Sequence, residues 1–172
     1  MHLKLITPPT VEPVTVEETK LHLRLDGNEE DNLISALIKA ARQKAEEYTR
    51  RAFITQTWEV AVDSVTSTLC LPRPPVQTIE AVTLDGQAVA PENYGLAVNL
   101  FYTKNPLYAV YPGGLVIRYV SGYGSTAEDI PQAIRQAILM LVAHLYEHRG
   151  DVAEEIPPMI KSLLQPFRVM LL

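Results

Sequence analysis

A single cysteine, Cys70, stands in the 172 residues, so no disulfide can close within the chain. At this length a core forms without disulfides or metal. Cys70 lies in the apolar run Leu69-Cys70-Leu71 and is expected as a buried thiol in a compartment that is reducing or indifferent to redox. Long apolar runs are lacking too: no stretch of 18 apolar residues occurs, and the opening Met1 to Pro9 is too short in its apolar part for a signal peptide. The expectation is a soluble protein made in a cytoplasm, with no membrane partner. Positive charge is also scarce, 15 Lys and Arg against 20 Asp and Glu, for a net charge of −5. Gripping a phosphate backbone requires clustered cations. The one basic pair, Arg50-Arg51, follows a helix whose negative C-terminal end it complements. Catalytic signatures are sparse. No serine sits in a nucleophile elbow, and Gly122-Tyr123-Gly124 lacks the further glycine and the Lys-Ser/Thr pair of a phosphate loop.

What is present reads as helices, then strands, then helices, with no internal repeat. The expected class is α+β: mainly helical, with helices at about 16–24, 29–50, 131–148 and 158–165, and a small antiparallel sheet region at about 54–120. One domain over 1–172, with a β-rich insertion at about 53–121, is the expected organisation. Thr15 and Glu18 form a capping box for the first helix. Asn28 is the expected cap of the second helix, which begins acidic and ends basic; Leu33, Ile34, Leu37, Ile38, Ala41, Ala45 and Tyr48 give its buried stripe. Glu29-Glu30 and Glu46-Glu47 are adjacent pairs, which read as a solvated face. Trp58, Val60 and Val62 alternate with polar or small neighbours as a half-buried strand does. Thr68–Leu71, Ile79–Leu84, Val98–Thr103, Tyr108–Tyr111 and Leu115–Val120 are further strands. Asp85-Gly86 is a hairpin turn, and Pro112-Gly113-Gly114 is expected to turn the chain between the last two strands. Pro131 suits the first turn of the third helix, where a missing N–H goes unnoticed; Gly150 is its expected end. Ile134, Ala137, Ile138, Leu141, Val142, Leu145 and Tyr146 give that helix the strongest apolar stripe in the chain.

The sharpest catalytic lead is His144-Leu145-Tyr146-Glu147-His148, which matches the His-x-x-Glu-His pattern of inverted zinc peptidases. Such a site needs a third protein ligand, yet only 24 residues follow His148, and Glu154 and Glu155 fall in a Pro-flanked linker. A zinc-dependent hydrolase using His144, Glu147 and His148 is therefore the alternative and not the leading reading. The histidines otherwise flank an apolar stripe at a helix C-terminus. Two features suggest partners. Ala36, Ala40, Ala41 and Ala45 give the second helix a small-residue surface that a neighbouring helix could approach closely. The last six residues, Phe167 to Leu172, hold five apolar side chains, which should bury against something: the chain's own core or a partner.

These segments resemble, in order, the head-tail connector (adaptor, head-completion) proteins of long-tailed bacteriophages. Pro13 to Glu18, the turn His22 to Gly27 and the helix from Leu33 to Tyr48 are similar to the opening of that family. Ile54-Thr55-Gln56-Thr57-Trp58 and Leu71 to Val76 resemble its middle, and Val116 to Gly124 its approach to the third long helix. Ile130-Pro131 through Glu147 and Leu163 to Arg168 complete the likeness, which spans about residues 11 to 168. Two departures are His148, where family members often carry Asn, and the apolar end, where they are polar.

The resemblance implies a non-enzymatic structural subunit with no cofactor. It implies a ring, usually of twelve copies, under the portal of a DNA-filled capsid, built in the host cytoplasm and resident in the virion. The ring would extend the DNA channel, with duplex DNA as non-specific cargo, and offer a platform to a stopper or tail-completion protein. Another position in the connector stack, that of a stopper, is the alternative within this class. Portal contact is implied for the C-terminal region, here Leu163, Leu164, Phe167, Arg168, Val169, Met170, Leu171 and Leu172. Ala36, Ala40, Arg50 and Arg51 are the expected subunit-interface residues.

Overall fold

The computed structural model describes residues 1–64, 68–104, 110–148 and 155–170. Thr15 opens the first helix, α1 (Val16–Leu23), with the reciprocal capping bonds that its sequence predicts: the Thr15 N–H donates to Glu18 at 2.9 Å and the Glu18 N–H to Thr15 Oγ1 at 3.1 Å. Arg24 ends it in the left-handed region, φ 57°. The second helix, α2, runs Asp31–Thr49, shorter than the 29–50 expected. Asn28 does not cap it with its side chain. That amide instead accepts a 2.8 Å bond from Lys20 Nζ, and Glu30 holds the cap position without a side-chain bond. Since α2 stops at Thr49, its last turn is not basic, and Arg50 lies beyond it at φ 58°.

The chain divides into two compact units. One joins Thr10–Ile54 to Gly124–Leu172; the other joins Met1–Pro9 to Thr55–Tyr123. The first is helical: α1, α2, α3 (Gln132–Glu147) and α4 (Pro158–Leu164). Pro131 stands at the cap of α3, one residue ahead of the first turn expected for it. Gly150 lies outside the described residues. Ile34, Ile38, Ala41 and Ala45 of α2 meet a core that includes Ile134, Ala137, Ile138 and Leu141 of α3. Alanines in both helices let the backbones approach. The buried stripe of α2 is rotated from the expected one. Leu33 is 36% exposed, while Arg42, Glu46 and Thr49 turn inward.

The second unit is two antiparallel sheets. Its strands are β1 (His2–Thr7), β2 (Gln56–Ser64), β3 (Thr68–Cys70), β4 (Val76–Leu84), β5 (Gln87–Ala88), β6 (Tyr94–Ala97), β7 (Leu100–Thr103) and β8 (Val110–Ser121). They order as β1-β2-β8-β4-β5 and β3-β7-β6. Val60 of β2 sits opposite Ile117 of β8, both fully buried. Their neighbours Glu59 and Arg118 point to the other face and pair at 2.8 Å. This two-residue alternation is why the apolar and polar letters of β2 and β8 segregate. Val60, Leu71, Val82, Phe101, Leu115, Ile117 and Tyr119 form one core cluster.

Several sequence expectations are corrected here. The fold is α+β, but about as many described residues lie in strands as in helices, so it is not mainly helical. β1 was not foreseen. Pro112-Gly113-Gly114 does not turn the chain: β8 runs through it, and the register slips from Val62↔Leu115 to Ser64↔Val110. These residues form a bulge, with Gly114 at φ 67°. Residues 105–109 are not described, so the start of the expected Tyr108–Tyr111 strand lies outside the described residues. Val98 is not in a strand but in the two-residue turn between β6 and β7, at φ 59°. Cys70 is exposed, because in the short β3 it is Leu69 that turns toward the core.

Candidate functional site

The C-terminal segment gathers around the end of α2. Ile160 and Leu164, one turn apart on α4, are buried in the helical unit, while Leu163 is half-buried and Met159 is 68% exposed. Beyond α4 a single 3-10 turn, Gln165–Phe167, carries the chain across the end of α2. Four contacts fix it there. Tyr48 donates its hydroxyl proton to Gln165 Oε1 at 2.8 Å, and Arg51 Nε donates to the Phe167 carbonyl. The Val169 N–H donates to the Thr49 carbonyl at 2.9 Å, and the Arg168 guanidinium lies 5.2 Å from the Tyr48 ring centroid. The segment is therefore folded back through Val169, and Met170, 69% exposed, points to solvent. Leu171 and Leu172 lie outside the described residues. Of the residues expected to meet a portal, Leu164 is enclosed by its own chain, and Arg168 and Met170 are exposed.

The expected subunit-interface residues separate into two places. Ala36 and Ala40 lie on the outer side of α2 beside Leu33, with Ile34 and Ile38 facing the core. Arg50 is exposed just past the helix, where its N–H closes the last turn on the Glu47 carbonyl at 3.3 Å. Arg51 is half-buried and committed to the C-terminal segment.

The His-x-x-Glu-His motif occupies the last turn of α3. The His144 and His148 rings touch, with centroids 4.3 Å apart, and Glu147 is exposed. Among the described residues no group of three or more His, Cys, Asp or Glu side chains is placed to hold a metal. Glu154 lies outside the described residues. Glu155 pairs with Lys161 at 2.7 Å, and that lysine holds its carboxyl below the ordinary value. Among the described residues the peptidase reading therefore finds no third ligand. Among the described residues no helix is long and apolar enough to cross a membrane.

The sequence profile of the head completion proteins ("Head completion protein") matches residues 12–170. The chain belongs to that family. It is a head-tail connector of the head-completion kind. Three solved structures share its fold. They are a chain in the neck of an empty GTA particle computed with C6 symmetry (25% identical, TM-score 0.85) and a chain in the virion of a native gene transfer agent particle (25%, 0.83). The third is a chain in the neck of a native GTA particle computed with C12 symmetry (24%, 0.82). Each covers 100% of this chain and 97% of its own. A comparison with curated proteins finds no match.

Inside the span matched to head completion proteins lies a charged cluster that sequence reading passes over. Arg42 donates to Glu12 at 2.7 Å and to Glu46 at 2.7 Å, and Glu46 also accepts the Phe53 N–H at 2.8 Å. Glu46 is thus not on a solvated face. Burial opposes the charge on Arg42, but the two carboxylates outweigh it and hold the guanidinium above its ordinary value. Glu30 likewise departs from a purely solvated reading, because it accepts the Tyr146 hydroxyl from α3. The i,i+4 spacing of Arg42 and Glu46 was the available signal. A second pair, Arg135 to Glu18 at 2.6 Å, sits beside the α1 cap, and Arg135 also donates to the Pro13 carbonyl at 2.9 Å.

Proposed function

We propose that the chain is a structural, non-enzymatic ring subunit in the neck of a tailed-phage-like particle, with twelve copies beneath the portal. Its likeness over the full chain length to a chain in a particle neck carries this reading: TM-score 0.85, with 100% of this chain and 97% of that one covered. The C6 and C12 symmetries used for those necks both suit a twelve-membered ring. In this reading the protein is built in the host cytoplasm and resides in the virion. Its ring extends the DNA channel and offers a platform to a stopper or tail-completion protein.

A ring subunit repeats one heterologous contact around the circle, so it needs faces that its own core leaves uncovered. Leu33, Ala36 and Ala40 on α2, with Arg50 beyond it, supply exposed residues for copies of the chain. Toward the portal, Leu163 and Leu164 position the C-terminal segment, and Phe167, Arg168, Val169, Met170, Leu171 and Leu172 make the contact. Twelve copies at −5 each carry a formal −60, so duplex DNA is cargo and not ligand. An acidic wall gains nothing from counterion release, and binding to duplex DNA is expected weaker than about micromolar at physiological salt.

Electron microscopy of the purified protein, alone and mixed with the portal of the same particle, tests the reading. Twelvefold rings seated on the portal are expected. A protein that ignores the portal and turns over a substrate would overturn it.

A further inference from the structure

We propose that His144 and His148 form a two-imidazole site for a divalent transition-metal ion at the C-terminal end of α3. His144 lies in the last turn of α3 and His148, four residues on, is its C-cap, so the two fall on one side of the helix end. Their ring centroids lie 4.3 Å apart with the planes inclined by 40°. With the His148 ring kept in place, turning the His144 side chain brings a nitrogen of each ring to about 2.0–2.1 Å from a shared ion.

The tautomer of one ring is already set. His148 Nδ1 lies 2.9 Å from the His144 carbonyl oxygen, which only accepts, so Nδ1 carries the hydrogen. In the neutral ring the lone pair then sits on Nε2. Ligating histidines commonly make this outer hydrogen bond to a carbonyl, which orients the ring and raises its basicity. His148 also closes the helix with its backbone N–H on the same carbonyl at 3.1 Å, so the side chain is anchored at both ends of its residue. The local field has the right sign as well, since the last turn of a helix carries partial negative charge and the exposed Glu147 adds to it.

Donor type decides the ion. Imidazole suits zinc, nickel and copper, whereas magnesium and calcium require oxygen. Among the described residues these two imidazoles are the donors, and water can fill the remaining coordination positions. The bound ion cross-links the final turn of α3; no hydrolytic centre is implied. The inference stands on α3 alone and does not depend on ring assembly.

The test is a calorimetric titration of the full chain with zinc chloride, with nickel chloride and with manganese chloride, at neutral pH in a non-coordinating buffer. Wild type is compared with His144→Ala, His148→Ala and His148→Gln, with a double His2→Ala/His22→Ala variant as control. Circular dichroism checks the helix content of each. About one ion per chain is expected, bound at least about tenfold more weakly by each α3 variant and unchanged in the control, with nickel ahead of manganese. The ion should also raise the melting temperature of wild type and of the control but not of the α3 variants. Binding that survives in the α3 variants, that is lost in the control, or that never saturates would overturn the proposal.

Discussion

Arg42 and Glu46, one turn apart on α2, form an ion pair of 2.7 Å whose side chains are 4% and 8% exposed. Glu12 reaches the same guanidinium from the segment before α1, with 28% of its side chain exposed. Removing Glu46 leaves the buried guanidinium with only the part-exposed Glu12, so Glu46→Ala should cost about 3–5 kcal/mol. It also orphans the Phe53 N–H. Glu12→Ala leaves Arg42 with Glu46 and should cost less, about 1–3 kcal/mol. Urea unfolding followed by helical circular dichroism gives both values. A Glu46 variant more stable than the Glu12 variant would show that Glu46 is not the centre of the cluster.

Glycine at 114 is required twice over. Its φ is 67°, and a Cβ there would stand 2.8 Å from the Val62 carbonyl oxygen. Gly86 shares the left-handed backbone, at φ 76°, but a Cβ there meets nothing within 4 Å. Gly86→Ala should therefore cost only the left-handed penalty, about 1–2 kcal/mol. Gly114→Ala should cost that amount and a backbone clash besides, which no side-chain rotation relieves. Equal melting temperatures for the two variants would mean that the bulge relaxes freely.

That bulge also shows where sequence stops being informative. Pro-Gly-Gly is turn chemistry by local preference, and the turn at Asp85-Gly86 obeys the same preference. At 112–114 the pairing of β8 with both β2 and β4 overrides it, a long-range effect that no window of residues contains. β1 escaped notice for a related reason: an edge strand needs little hydrophobic pattern when β2 supplies its partner. Ile134 to Val142 were legible because helical spacing and burial agree there. On α2 they disagree by one position, since Arg42 and Glu46 are charged letters in a buried stripe. The course of the C-terminal segment was legible only in part. The apolar end of the chain announces itself by composition, but its tie to Thr49 and Arg51 depends on contacts more than a hundred positions apart.

Acid should expose the α1 cap. The Thr15 N–H is the main cause that holds the Glu18 carboxyl below its ordinary value of 4.5; Arg135 adds to it against the opposing effect of burial. A carboxyl depressed in the folded state takes up its proton more readily in the unfolded chain. Its stabilisation is therefore complete above the ordinary value and is lost as pH falls through the depressed one. Glu18→Gln should be less stable than wild type at pH 7, with the gap closing toward pH 3. A gap that stays constant over that range in thermal melts would remove Glu18 from the acid response.

The proposed portal contact of the C-terminal segment is best tested by cutting where the fold no longer depends on the chain. Truncation after Gln165 removes the Phe167 carbonyl that Arg51 binds and the Val169 N–H that Thr49 binds, so it disturbs the helical unit as well as any docking. Truncation after Val169 keeps both bonds and deletes only Met170, Leu171 and Leu172. Met170→Asp places a charge at an exposed apolar position without touching the core. If burial of these three side chains in a portal contributes about 1.5–3 kcal/mol apiece before ordering costs, either change should weaken capture by the portal at least tenfold. The melting temperature should stay within a degree or two of wild type. Capture at wild-type strength by both variants would move the anchor upstream, to Phe167 and Arg168. Loss of folding in the shorter truncation alone would show instead that the contacts through Val169 belong to the subunit's own stability.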